Sequence, residues 1–222
     1  MRALFAMLCG LAFAATVGAT EDSKYTFVDL QPKGNHALKD DMGPQFPGNN
    51  LESLPKGEQK LEGTPFKIGE KMIRLKGADE ADELPDSVED IKVGAVFKTL
   101  YILQATEYSI NDDADDKEIG AYVVHYADKT EERIPIVYGQ HLQDWWGYPG
   151  LAEVTDAKVA WTGTNKGADS FAEENNVDGI KIRLFSSSWT NPHPEKEVAT
   201  IDFTSKKTQC KPFVVALTTE KE

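Results

Sequence analysis

The chain has 222 residues, with 24 Lys+Arg against 37 Asp+Glu and a formal net charge of −13. That balance argues against nucleic acid and anionic membrane as partners, both of which call for a basic face. The length suits one domain with a substantial core.

Met1-Arg2 is followed by an apolar run from Ala3 to Ala15 and by small residues at Val17-Gly18-Ala19. A positive start, a short apolar core and a small-x-small site predict a secretory signal peptide over 1–19, cleaved after Ala19. The run is too short to span a bilayer, so no membrane insertion is expected. The rest, 20–222, reads as a single secreted domain, extracellular or periplasmic. It keeps one cysteine, Cys210, so no internal disulfide can staple it. Cys210 opens an apolar run and is expected to be a buried, inert thiol.

Tyr25 to Leu30 is a short β-rich run ending in the turn Pro32-Lys33-Gly34-Asn35. From His36 to Lys60 the chain is polar and aperiodic, which predicts a long ordered excursion. Thr64–Ile68 and Met72–Leu75 read as short strands, followed by an acidic loop from Gly77 to Asp90. Val93 to Ala105 is apolar at both alternating positions, which predicts one central strand buried front and back. After the acidic insert Asn111–Glu118, Ala121–Ala127 and Glu132–Tyr138 flank a short polar turn and read as a hairpin. Pro135 places its second arm at an edge or a bulge.

Asp144-Trp145-Trp146-Gly147-Tyr148-Pro149-Gly150 combines adjacent indoles with turn-forming residues. Gly and Pro predict a surface loop. There the aromatics either stack on a flat ligand such as a sugar ring or fold back as plugs over the end of a sandwich. Ala157–Thr162 is a strand, and Trp161 within it is expected in the core. Gly163–Asp178 reads as a long polar loop. Gly179–Phe185 and Ala199–Thr204 alternate cleanly, and Phe213–Leu217 closes the chain. About ten short strands with no helical period predict an all-β antiparallel sandwich or jelly roll.

Signatures of common catalytic chemistry are absent: there is no G-x-S-x-G, H-E-x-x-H, P-loop or C-x-x-C. Asp144 is the only acid in an evidently apolar setting, and the pair of carboxylates a glycosidase needs cannot be assembled from spacing. The four histidines have no zinc-like spacing. A structural calcium ion is the metal that oxygen-rich loops would suit. Asn111–Asp116 supplies many oxygens but lacks an EF-hand's glycine and terminal glutamate and reads rather as a solvated acidic tip, and Asp29 with Asn35 offers a second place. Trp189 is either core or a ligand platform. Asn165, Asn191 and His193 are short polar groups on loops that could meet sugar hydroxyls or satisfy their own turns.

Five patches recur in order along the chain: Phe27-Val28-Asp29-Leu30 with Asn35; Gly63-Thr64-Pro65-Phe66; Leu100 to Ala105; Asp144-Trp145-Trp146 with Ala160 to Asn165; and Trp189-Thr190-Asn191-Pro192-His193-Pro194 leading to Ile201. Together they resemble the galactose-binding-domain-like β-sandwich modules of secreted bacterial polysaccharide-degrading enzymes. The resemblance implies a jelly-roll fold and carbohydrate as the partner. The expectation is a non-catalytic carbohydrate-binding protein contacting sugar through Trp145, Trp146, Tyr148, Asn165, Trp189, Asn191 and His193. A ligand-free structural or protein-interaction sandwich is the first alternative. A small secreted glycosidase or lyase is the second.

Overall fold

A computed structural model of the chain describes residues 24–79, 83–108 and 117–222. The signal-peptide segment and Asn111–Asp116 lie outside the described residues. In chain order the strands are β1 (Tyr25–Val28), β2 (His36–Ala37), β3 (Gly57–Leu61), β4 (Thr64–Ile68), β5 (Lys71–Arg74), β6 (Ser87–Ala95) and β7 (Thr99–Glu107). They continue with β8 (Glu118–Tyr126), β9 (Glu131–Val137), β10 (Trp146–Gly147), β11 (Ala157–Gly163), β12 (Lys181–Thr190), β13 (Val198–Ser205) and β14 (Lys211–Glu220). One helix among the described residues, α1 (Lys166–Asn175), lies between β11 and β12.

The large sheet runs β10-β12-β7-β14-β5-β2, with β1 also on β14 and β11 also on β12. A second sheet runs β6-β13-β8-β9, and β3 and β4 form a separate hairpin. The pairs within both sheets are antiparallel. The expected all-β sandwich is therefore what the chain adopts. The β8–β9 hairpin follows the sequence closely: the Asp128 carboxylate accepts from the Thr130 amide at 3.0 Å to close the turn. Pro135 sits on β9 at the sheet edge, where its missing N–H costs no ladder bond.

The run from Val93 to Ala105 is not one strand. It ends β6 in the small sheet, crosses layers through Val96-Phe97-Lys98, and begins β7 in the large one. The crossing is buried at Phe97, and its backbone is met from elsewhere: the Phe97 carbonyl accepts from Asn191 Nδ2 at 3.0 Å. The Lys98 amide donates to the Glu220 carbonyl at 2.8 Å. Once past the crossing, β7 is the buried central strand that its apolar pattern predicts.

Gln104 of β7 faces the small sheet. The Tyr122 hydroxyl donates to its Oε1 at 2.9 Å, and its Nε2 donates to Ser187 Oγ at 3.0 Å. Tyr122 stacks flat on Phe203 at 4.9 Å, so this buried polar chain is set in an apolar interlayer with its groups satisfied. Successive side chains on a strand alternate between faces, so Ala105 and its partner Phe213 turn to the opposite face, as does Arg74 beside Phe213. There Arg74 and Glu107, each only 5% exposed, form an ion pair. The guanidinium also donates to the Met42 carbonyl at 2.7 Å and to His36 Nδ1 at 3.1 Å. His36 Nε2 then donates to the Asp40 carbonyl at 3.0 Å. Burial first and the Arg74 charge second hold His36 below the ordinary histidine range. The excursion between His36 and Lys60 closes over this face, burying Leu38, Leu51 and Leu54.

The expected polar loop over Gly163–Asp178 instead holds α1. Asn165 caps it, its Oδ1 accepting from the Ala168 amide at 2.8 Å, and Asn176 ends it in the left-handed region at φ 50°. Gly167 is pressed against the excursion, where an added Cβ would stand 2.5 Å from Asn49 Cβ. The buried stripe is short, Gly167 and Ala168 with Phe171 and Ala172 partly covered, so it leaves a weak helical period.

Candidate functional site

The Trp145–Trp146 stretch is not a surface loop. Where β7 and β12 diverge, residues 143–147 enter between them. Thr106 and Asp144 form a parallel bridge, and Trp146 pairs with Ile182. The Trp145 amide donates to the Thr106 carbonyl at 2.9 Å, and the Arg183 amide donates to the Trp145 carbonyl at 2.8 Å. Sheet partners thus replace the water that a Gly/Pro-rich loop would need, and the indoles go inside. Trp145, 2% exposed, meets Phe213 edge-on at 6.1 Å. Trp146, 7% exposed, lies 5.3 Å from Phe46 and 5.2 Å from Phe171, and its Nε1 donates to Asn49 Oδ1 at 3.0 Å. Stacking of these indoles on a ligand is replaced by the plug arrangement.

The other anticipated ligand residues are also committed to the fold. Tyr148 packs against Phe171 at 6.4 Å. Asn165 caps α1, and its Nδ2 donates to Asn49 Oδ1 at 3.2 Å and to the Asn50 carbonyl at 3.0 Å. Trp189 is half-buried in β12 opposite Leu100. Asn191 is buried. Its Oδ1 accepts from the Tyr126 hydroxyl at 2.6 Å and from the His193 amide at 2.9 Å. The His193 ring meets Tyr126 edge-on and stands 3.6 Å from Glu132. These residues do not converge. Trp146 sits at Ile182 and Trp189 seven residues along β12, about 23 Å away at ~3.3 Å per residue.

Of the two residues considered for calcium, Asn35 pairs with both backbone groups of Arg74, at 2.8 and 2.9 Å. Asp29 accepts from the Gln31 amide at 3.0 Å. No group of three or more His, Cys, Asp or Glu among the described residues is placed to hold a metal. Cys210 is buried as expected. Its thiol donates to the Tyr108 carbonyl at 3.3 Å, and burial pushes it up to about 12, which makes it inert at neutral pH.

Asp144 is held inside the wedge. Burial pushes its carboxyl up to about 7, against the pull of the Trp146 amide on its Oδ1 at 2.9 Å and of the Arg183 charge. The folded state therefore binds this proton more tightly than the unfolded chain, whose carboxyl titrates near 3.8. Ionising Asp144 costs stability, and the cost grows as pH rises from about 4 through about 7. Asp144→Asn keeps the acceptor for Trp146 and removes the charge. It is expected to raise stability at pH 8 by on the order of 2–4 kcal/mol, with a higher melting temperature, and to match the parent near pH 4. Thermal melts across that range check both ends, and a variant no more stable at pH 8 would contradict the assignment.

An open groove of ≈ 330 Å³ lies on the face of the large sheet turned away from the small one. Its floor is Tyr101 of β7 and Ser186 and Ser188 of β12, with Ser188 directly opposite Tyr101. One bank is the β3–β4 hairpin, through Glu62 and Thr64. The other is the approach to β11, through Thr155, Asp156 and Lys158. The Tyr101 hydroxyl donates to Glu220 Oε2 at 2.6 Å, and Lys24 donates to Glu220 Oε1 at 2.6 Å. The hydrogen bond to Glu220, with burial added, pushes Tyr101 up to about 12, so it stays a neutral donor. Tyr25 stands beside it with ring centroids 6.4 Å apart. The hydroxyls of Ser186, Ser188 and Thr64 and the charged ends of Glu62 and Lys158 have no side-chain partner among the described residues.

None of these residues entered the sequence reading as ligand contacts, although one signal was there. In Ile182-Arg183-Leu184-Phe185-Ser186-Ser187-Ser188-Trp189 a serine triplet interrupts a good strand, and alternation puts Ser186 and Ser188 on one face. No protein-family model, curated protein or solved structure matches the chain.

Proposed function

We propose that the protein is a secreted, non-catalytic carbohydrate-binding module whose ligand lies in the groove over β7 and β12. The observation that carries this reading is the set of uncommitted hydroxyls on rigid strands beside a tyrosine ring. Hydroxyls without internal partners are free to bond a hydroxylated ligand, and strands hold them in place at little ordering cost. The half-buried Tyr101 ring offers an apolar face to a sugar while its hydroxyl is fixed by Glu220. Asp144, the acid that a glycosidase reading would start from, is not among the residues that line the groove.

The test is a pair of variants measured on a glycan panel. Tyr101→Ala is expected to weaken binding roughly ten- to a hundred-fold, the loss of about 1–3 kcal/mol of contact. Ser186→Val, a change that a strand tolerates, is expected to weaken it by several-fold through one lost hydrogen bond, about 1 kcal/mol. Melting curves on both show whether the molecules remain folded. Unchanged affinity in both folded variants would remove the groove from consideration. A second reading, a ligand-free scaffold, is favoured by the burial of Trp145 and Trp146. It predicts no binding anywhere on the panel.

A further inference from the structure

Granted the groove reading above, on which this rests, we infer that the ligand is a neutral polysaccharide and that the groove refuses glycans bearing uronate or sulfate groups. Glu62 stands on the hairpin bank, and Asp156 and Lys158 stand on the β11 bank. None of the three forms an ion pair among the described residues, and the Asp156 carboxylate accepts only a long bond from the Thr155 hydroxyl, at 3.4 Å. The carboxylate next to the floor, Glu220, is neutralised by Lys24 at 2.6 Å and occupied by Tyr101.

A ligand in the groove thus meets a carboxylate on each side and an ammonium on one. An anionic sugar would face like charge from both banks, on a chain whose formal net charge is already −13. A polyamine chain would be drawn to Glu62 and Asp156 but set against Lys158, which shares its bank with Asp156 and lies opposite Ser186 in the register. Sugar hydroxyls avoid both conflicts. They donate to Glu62 and Asp156 and accept from Lys158, and such charge-assisted bonds are stronger than bonds between neutral groups. They also match the floor, where Ser186, Ser188 and Thr64 can each donate or accept. Both signs on the banks suit an uncharged ligand with many hydroxyls.

The experiment measures binding of the purified protein to soluble galactan, mannan, xylan and β-glucan as neutral polymers. Polygalacturonate and carrageenan serve as anionic polymers and chitosan as the amine-bearing one, all at low and high salt. Binding is expected only among the neutral polymers, with an affinity that changes by less than about two-fold with salt, because screening acts on charge pairs. The double variant Glu62→Gln, Asp156→Asn is expected to weaken neutral binding by several-fold. Preference for an anionic or amine-bearing polymer, or a steep salt dependence, overturns the inference. So does a double variant that binds as well as the parent. If that happens while Tyr101→Ala abolishes binding, the groove stands and only the charge argument fails. Neutral binding that survives Tyr101→Ala removes the groove itself, and binding to no polymer overturns both.

Discussion

Glu107→Leu is expected to cost about 3–5 kcal/mol of stability, because it leaves the Arg74 guanidinium buried with no carboxylate against it. For a domain of this size that is a fall of roughly 6–20 °C in melting temperature. The remaining acceptors of Arg74, the Met42 carbonyl and His36 Nδ1, satisfy hydrogen atoms but bring no negative charge. His36 accepts from Arg74 only when neutral, so acid aggravates the defect. The double variant Arg74→Met, Glu107→Leu removes both charges and puts apolar volume in their place. It is expected to be more stable than Glu107→Leu alone, since a buried pair and a packed apolar pair are often close in stability. Chemical denaturation of the three proteins measures this. A Glu107→Leu variant within about 1 kcal/mol of the parent would show that the pair is better solvated than its 5% exposure indicates.

Trp146→Ala is expected to cost a similar amount, about 3–5 kcal/mol, by emptying the space between Phe46 and Phe171. Its effect spreads through Asn49, whose Oδ1 accepts from both Trp146 Nε1 and Asn165 Nδ2. Losing the indole therefore loosens the cap of α1, and amide exchange in Lys166–Asn175 should rise more than exchange in β7. Trp146→Phe keeps most of the ring and loses the bond to Asn49, so about 1 kcal/mol is the expected cost. Neither variant touches the groove, so binding per folded molecule should be unchanged. Lost binding by a folded Trp146→Ala protein would return the tryptophan stretch to the ligand site.

The all-β class, the β8–β9 hairpin and the alternation of β12, and of β13 from Ile201 onward past the irregularity at Val198–Thr200, were legible because each is a local pattern of period two bounded by turn residues. The wedge at Trp145–Trp146 was not. Its backbone partners are Thr106 and Arg183, and the indole's partner is Asn49, all far away in sequence. Local chemistry at Gly147, Pro149 and Gly150 pointed to a turn, and the strand pairing just before it outweighed that signal. Helix α1 was hidden because Asn165 and Asn176, its caps, are also the residues that mark loops. The candidate site was the least legible part. Aromatic residues in a turn context drew attention to Trp145 and Trp146, while the open surface is made of serines that only the register brings beside Tyr101.

The position of β14 sets an order on assembly. It is the last strand described, and it lies inside the large sheet, with β7 on one side and β5 and β1 on the other. Phe213 and Val214 pair with Arg74 and Ile73, and Leu217 to Glu220 pair with Val28 to Tyr25, so the two ends of the described chain meet edge to edge. Until that strand arrives, β7 has one open flank and β1 has no neighbour in the sheet. A chain emerging from its amino end cannot complete this sheet piecemeal, and pairings of such long sequence separation form slowly. Closure of the large sheet therefore waits on β14, and the last step of folding joins segments from both ends of the described chain at once rather than strand by strand.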